Sequence, residues 1–297
     1  MTSTEKTGYI NVPDNWMHME SQGSGPFVTR TVHQTEDGST HIWSSRRHRK
    51  EFGPEVLLPL EESPTRKRPP LFLWEPHKLN WWIGLLFMIG AFHFIVGSLM
   101  VLAGSTYAYG IDLIYFVGSL FFTVAAYSAY SQAINAPDQV DSLGNPLPRH
   151  KRSIVAWQPK RLAFWATFPL LLGTLAFNAS TFASFFDVHW LGYDILVWVP
   201  DYVGCILFMI SGTAAVFELC HRFWCLSSRS LSWWIVFLNF IGCVAFMISA
   251  FAAFVRPNPI FDNLATVATI TTLFGAVCFF VSAYLSWPEM AIEESAG

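Results

Sequence analysis

The chain has 297 residues, of which 53% are hydrophobic, 16% aromatic and only 13% charged, about half the ~25% charge share of an ordinary soluble domain. That composition excludes a soluble globular protein. A net charge of −3 leaves no basic footprint for nucleic acid, whose binding domains cluster Lys and Arg on one face.

The charges gather at the front: ten of the 18 Lys and Arg residues and ten of the 21 Asp and Glu residues lie in residues 1–78. Residues 1–73 are therefore read as a polar N-terminal arm. No basic stretch followed by an apolar run opens it, so no cleavable secretory signal is read and the arm is expected to stay on the cytoplasmic side. Within it, FVTRTVHQTEDGSTHIWSS sets Asp37 and Gly38 between two runs rich in β-branched and aromatic residues, which predicts a β-hairpin. Its second strand is read as ending in the basic cluster Arg46, Arg47, His48, Arg49 and Lys50, and Arg66 to Arg68 precede the body. Both are read as solvated runs that set topology and attract anionic lipid at about 1 kcal/mol per charge.

The body carries apolar runs at 81–103, 112–134, 162–186, 198–219, 232–254 and 263–286, each near the ~20 residues that cross a hydrocarbon core. The expected fold class is all-α: a polytopic integral membrane protein with six transmembrane helices behind the arm. Asp201 follows Pro200 at the start of the fourth run, so residues 188–198 are expected to lie in the interface. Seventeen of the eighteen Lys and Arg residues fall on one side of this arrangement, only Arg256 opposite. The positive-inside rule then puts both termini in the cytoplasm. Five cysteines, three of them inside apolar runs and Cys220 and Cys225 at a helix end, are read as free thiols.

An internal repeat is the most specific signal. LWEPHKLNWWIGLLFMIGAFHF (73–94), AWQPKRLAFWATFPLLLGTLAF (156–177) and FWCLSSRSLSWWIVFLNFIGCVAF (223–246) share an entry Trp, a Leu, one or two aromatics, then Gly and a Phe four residues later. The second helix of each unit repeats the pair, so Gly90, Gly118, Gly173, Gly204, Gly242 and Gly275 each precede a Phe by four. Residues i and i+4 share a helix face, so each Gly is a notch beside a ring where a neighbouring helix packs closely. The entry tryptophans, with Lys78, Lys160 and Arg161, are read as an interfacial aromatic belt with basic anchors.

With a WW entry and a Gly plus Phe in each helix, the unit resembles the YrhK-like membrane domain of uncharacterised bacterial proteins. The resemblance covers residues 74–287 as three parallel tandem copies, at 74–135, 157–222 and 223–288. The second copy departs in carrying Phe164 where the others have Trp. The resemblance implies an architecture and no activity.

Polar residues at membrane depth are the functional candidates. His93 stands where the other copies have Ala176 and Ala245, and Asn178 and Asn239 also break the repeat. If His93 serves a ligand it is expected to face the interior, with Asn178 or Asn239 as partner. Fourteen residues after the second Gly of each unit stand Gln132, Glu218 and Glu289. Glu218 and His221 form a lone ExxH pair, half of what a di-metal bundle supplies. Asp112, Asp187, Asp194, Asp201 and Asp262 on the opposite side are read as solvating loop residues. No hydrolase, protease or nucleotide motif is present, and no motif calls for a cofactor or a metal. The expected function is non-enzymatic: a small-solute or ion pathway, or a structural, lipid-associated component. The alternative is a membrane-embedded enzyme using Asp201, Glu218 or His221. The expected partners are membrane lipids, with homo-oligomerisation left open.

The topology has a direct check. Single cysteines at Ser105 and Asn258 should label from outside the cell, and those at Ser63 and Asn145 only after permeabilisation. Labelling of Asn145 in intact cells would contradict the orientation.

Overall fold

The computed structural model describes residues 11–57, 73–137, 139–141, 146–147, 151–187, 189–223, 225–226, 230–254 and 263–294. Ser63, Asn145, Asn258, Trp224, Arg66 to Arg68, Arg149, Arg229, Arg256 and Asp262, which carried parts of the sequence reading, lie outside them.

The arm opens with β1 (Met17–Ser24), β2 (Phe27–Gln34) and β3 (Thr40–Ser44), then a one-turn helix α1 (Ser45–Arg49) and β4 (Glu55–Leu57). The β2–β3 hairpin turns at Gly38, whose φ of 85° suits a residue without a Cβ. It is the centre of a four-stranded antiparallel sheet ordered β1-β2-β3-β4. The fold class is thus mostly helical with a small sheet, not all-α. Alternation along β2 and β3 buries Thr29, Thr31, His33, His41 and Trp43 on one face, whereas β1 leaves its first four residues exposed and β4 has only three, so the outer strands gave no sequence signal.

Six long apolar helices follow: α2 (Leu79–Leu102), α3 (Ala108–Asn135), α4 (Leu162–Ala183), α6 (Val199–Cys220), α7 (Leu231–Ala252) and α8 (Leu264–Glu294). Each is long and apolar enough to cross a membrane. Helices satisfy every backbone group internally, which hydrocarbon requires. In the fourth span α5 (Trp190–Tyr193) runs through a π turn (Asp194–Trp198) straight into α6. Trp198 fixes that turn by donating its indole N–H to the Ala250 carbonyl at 2.7 Å. Large apolar side chains such as Phe92, Leu99, Phe182, Phe251 and Phe274 stay exposed on the outer face. In water such a belt is an aggregation surface, and in a bilayer it is the lipid contact of a multi-pass membrane protein.

The helices close into a ring in chain order, α2 on α3, α3 on α4, α4 on α6, α6 on α7, α7 on α8, and α8 back on α2. Within each sequential pair the glycines and rings are exchanged. A Cβ on Gly90 would meet the Phe122 ring at 3.0 Å, and one on Gly118 the Phe94 ring at 3.0 Å. Gly173 and Phe208 (2.6 Å), Gly204 and Phe177 (3.1 Å), Gly242 and Phe279 (2.8 Å), and Gly275 and Phe246 (2.6 Å) repeat the arrangement. The six rings converge on the axis as two triads. Phe246 touches Phe94 and Phe177, with centroids 5.9 and 6.0 Å apart. Phe279 touches Phe122 and Phe208 at 6.3 and 6.0 Å.

The entry tryptophans divide. Trp74, Trp82, Trp157 and Trp234 are exposed, but Trp81 and Trp233 turn inward, which corrects the belt reading for those two. Trp81 stacks on Trp287 with centroids 5.3 Å apart, joining α2 to α8 where the ring closes.

Replacing Gly173 by Leu forces atoms into the Phe208 ring, and overpacking of this kind costs about 1 to 3 kcal/mol. The variant should melt at a lower temperature in detergent, while the outward-facing Leu99→Phe should not. An unchanged melting temperature for Gly173→Leu would contradict the close packing.

Candidate functional site

Around the aromatic centre the ring encloses two cavities. The one at the arm end, about 160 Å³, is lined by all six long helices and by Arg46, Arg49 and Lys50 of the arm, with Phe122, Phe208 and Phe279 as its roof. The one at the far end, about 270 Å³, has Phe94 and Phe246 among its walls and carries Asp112, Asp201, Tyr115, Tyr193 and Trp198. Phe122, Phe208 and Phe279 thus face the arm-end cavity, and Phe94 and Phe246 face the far one.

The arm end is closed by α1. Ser44 accepts from the Arg47 amide as N-cap, and the turn projects the basic cluster under the bundle. Arg46 donates to both Glu289 carboxylate oxygens, Nη2 at 2.7 and 3.0 Å. Lys50 pairs with the same carboxylate. Arg49 Nε meets Glu218 Oε2 at 2.7 Å, and Ser45 Oγ donates to Glu218 Oε1 at 2.6 Å. Arg47 pairs with Glu293 and donates from Nε to the Gly53 carbonyl at 3.0 Å. Glu218 is 0% exposed and Glu289 2%.

The basic cluster is therefore not a solvated charge run. Burying a cation costs several kcal/mol, and the burial holds here because α6 and α8 present three carboxylates at the matching place. The same paired charges set the protonation of the arm. Burial, with Arg46 as a like-charged neighbour, brings the Lys50 ammonium down to about 8. Burial and the positive Arg30 hold His221 at about 4, against the pull of Glu218.

His221 does not join Glu218 in a half-site. It takes a left-handed conformation with φ 55° at the end of α6, and its Nδ1 lies 3.0 Å from Thr29 Oγ1 of β2. Beside it Cys220 and Cys225 form a disulfide, a correction to the free-thiol reading; the five-residue spacing lets the chain turn back on itself. Cys205, Cys243 and Cys278 are free and buried. Gln132, the third residue of the Gly-plus-fourteen set, is also buried, and its amide nitrogen has no hydrogen-bond partner among the described residues.

The symmetry-breaking residues scatter. His93 places Nδ1 2.8 Å from the Ile89 carbonyl of its own helix and stacks on Phe121. It pairs with neither Asn178 nor Asn239; its Nδ1 takes a carbonyl one turn back on its own helix instead. Asn178 donates to Thr123 Oγ1 on α3 at 2.8 Å, and Asn239 lines the arm-end cavity. Asp201 and Asp112 line the far cavity and Asp194 is buried, so these three are not solvating loop residues. Asp201 and Glu218 lie at opposite ends of α6, about 25 Å apart at ~1.5 Å per residue. Proton transfer needs groups within hydrogen-bond reach, so Asp201, Glu218 and His221 make no shared catalytic centre.

Sequence reasoning missed the docking of the arm cations on the bundle. The signal that could have found them is the Gly-plus-fourteen spacing, which set Glu218 and Glu289 at one level of the bundle with no cation of their own.

Glu289→Gln strands Arg46 and Lys50, and removing one partner of a buried pair typically costs about 3 to 5 kcal/mol. Trypsin should then cut at residues 46–50 much faster than in the unaltered protein. Acid should act the same way: His221 takes up a proton at its ordinary 6.5 when released but only near 4 when docked, so docking weakens as pH falls between these values. Equal cleavage of Glu289→Gln and the parent at pH 7.5 would contradict the ionic closure.

Compared with protein-family models, with curated proteins and with solved structures, the chain matches none of them.

Proposed function

We propose that this chain is a non-enzymatic membrane component whose six helices enclose a small-solute or ion pathway, held closed at rest by its own arm. The observation that carries the reading is the alignment of two cavities inside one ring of helices, parted by two triads of phenylalanine rings. A structural protein has no need of paired internal cavities, since interiors pack densely unless space is used. Hydrophobic constrictions of this type gate by excluding water.

The same proposal takes the bundle as three parallel two-helix units of the YrhK-like kind. Matched contacts support it. Trp81 and Trp233 each donate to the carbonyl eight residues back, Leu73 and Cys225, and Trp82 and Trp165 to that of the proline six back. Ser211 and Ser282, each seven residues after a second glycine, donate to Ala166 and Ile235, each seven before the first.

For orientation, the 17-to-1 distribution of Lys and Arg favours an arm and both termini in the cytoplasm. The Cys220–Cys225 bridge weighs on the other side, because cytoplasmic thiols are ordinarily kept reduced; the cysteine labelling described above decides. Membrane lipids are the partners of the outer face in this reading, and a homo-oligomer remains compatible with it.

Vesicles carrying the protein should be nearly as tight to urea, glycerol and potassium as protein-free ones. Phe208→Ala combined with Phe279→Ala opens the constriction and should raise permeability to at least one of these at least tenfold. Vesicles of the double variant as tight as protein-free ones, with the variant folded, would sink the pathway reading.

A further inference from the structure

The arm-end cavity has a chemistry that the pathway reading does not use. Its upper wall is apolar: Phe87, Phe122, Leu170, Phe208, Ile235 and Phe279. Its lower wall is formed by Arg46, Arg49 and Lys50, and their carboxylate partners Glu218 and Glu289 are absent from that lining. Four Lys and Arg side chains meet three carboxylates at this closure among the described residues. Arg47 and Glu293 balance each other, as do Arg49 and Glu218, which leaves Arg46 and Lys50 sharing Glu289. Among the described residues one positive charge is thus in excess beside this cavity.

The hydroxyls in the wall do not offset it. Thr167, Ser211, Ser282 and Ser286 donate to backbone carbonyls, so they are spent as donors. Asn239 lines the same cavity and is engaged in no hydrogen bond among the described residues, which leaves its amide for an occupant. An uncompensated buried charge is costly, and an anion relieves it. The space is near the ~150 Å³ of an apolar cavity that accepts benzene.

We propose that the arm-end cavity is a binding site for a small organic monoanion with an apolar body, of the monocarboxylate class. The carboxylate sits between Lys50, Arg46 and the Asn239 amide, and the apolar body lies under Phe122, Phe208 and Phe279. The occupant supplies the missing negative charge, so it strengthens the docking of α1 on the bundle. The site stands on the cavity and its charges alone and needs no passage of solute.

The test is calorimetric titration of the full chain in detergent at constant ionic strength, with sodium benzoate as the probe and benzamide as its neutral counterpart. Benzoate should bind one per chain and slow tryptic cleavage at residues 46–50, and benzamide should do neither. Lys50→Gln, which removes the excess charge, should weaken benzoate at least tenfold. Ala129→Leu, which fills the cavity and keeps every charge, should do the same, and it decides the matter if Lys50→Gln does not fold. No benzoate binding, equal binding of benzamide, or benzoate affinity unchanged in Ala129→Leu would overturn the proposal. Benzoate binding that survives while the double phenylalanine variant stays tight would leave the site standing and remove the pathway.

Discussion

The rest of the structure depends on one constraint: cations taken out of water must meet carboxylates there. Arg46, Arg49 and Lys50 are held against Glu218 and Glu289 at the end of the helix ring, where neither water nor salt screens them as it does surface pairs. Such an arrangement is poor at adding net stability, because desolvation offsets much of the attraction. It is effective at specifying position, since any register that separates one partner leaves a bare charge. The arm is therefore tied to one place on the bundle, and the interior is closed at that end.

The second constraint acts along the axis. Lipid supplies no hydrophobic force between helices, so close backbone approach does the work. Each glycine admits the phenylalanine of its partner helix, and the ring that fills the notch also points to the centre. Packing and closure are thus performed by the same six side chains. Space remains above and below them, lined by hydroxyls, Asn239 and the arm cations on one side and by carboxylates and tyrosines on the other.

Much of this was legible in the residues. Six spans and the Gly-plus-Phe spacing follow from hydropathy and from the i, i+4 rule, both local properties. The outer strands of the sheet were not legible, because β1 leaves its first four residues exposed and β4 has only three, so neither shows the alternation of a half-buried strand. The docking of Arg46 to Lys50 was hidden for a different reason. It depends on carboxylates 169 to 246 residues away in sequence, and a basic run on its own looks the same whether solvated or paired. The break in the repeat at His93 was legible in the sequence, and in the structure its Nδ1 meets the Ile89 carbonyl one turn back.

The central claim is that α1 is a closed part of the bundle and not an exposed basic segment. Hydrogen exchange of the backbone amides of Lys50, Glu51 and Phe52, which bond to the Arg47 and His48 carbonyls, tests it most directly. A five-residue helix is marginal alone, so protection there can come only from docking. The account predicts protection approaching that of the long helices, little changed by raising the salt. Exchange at the rate of a free peptide would contradict it.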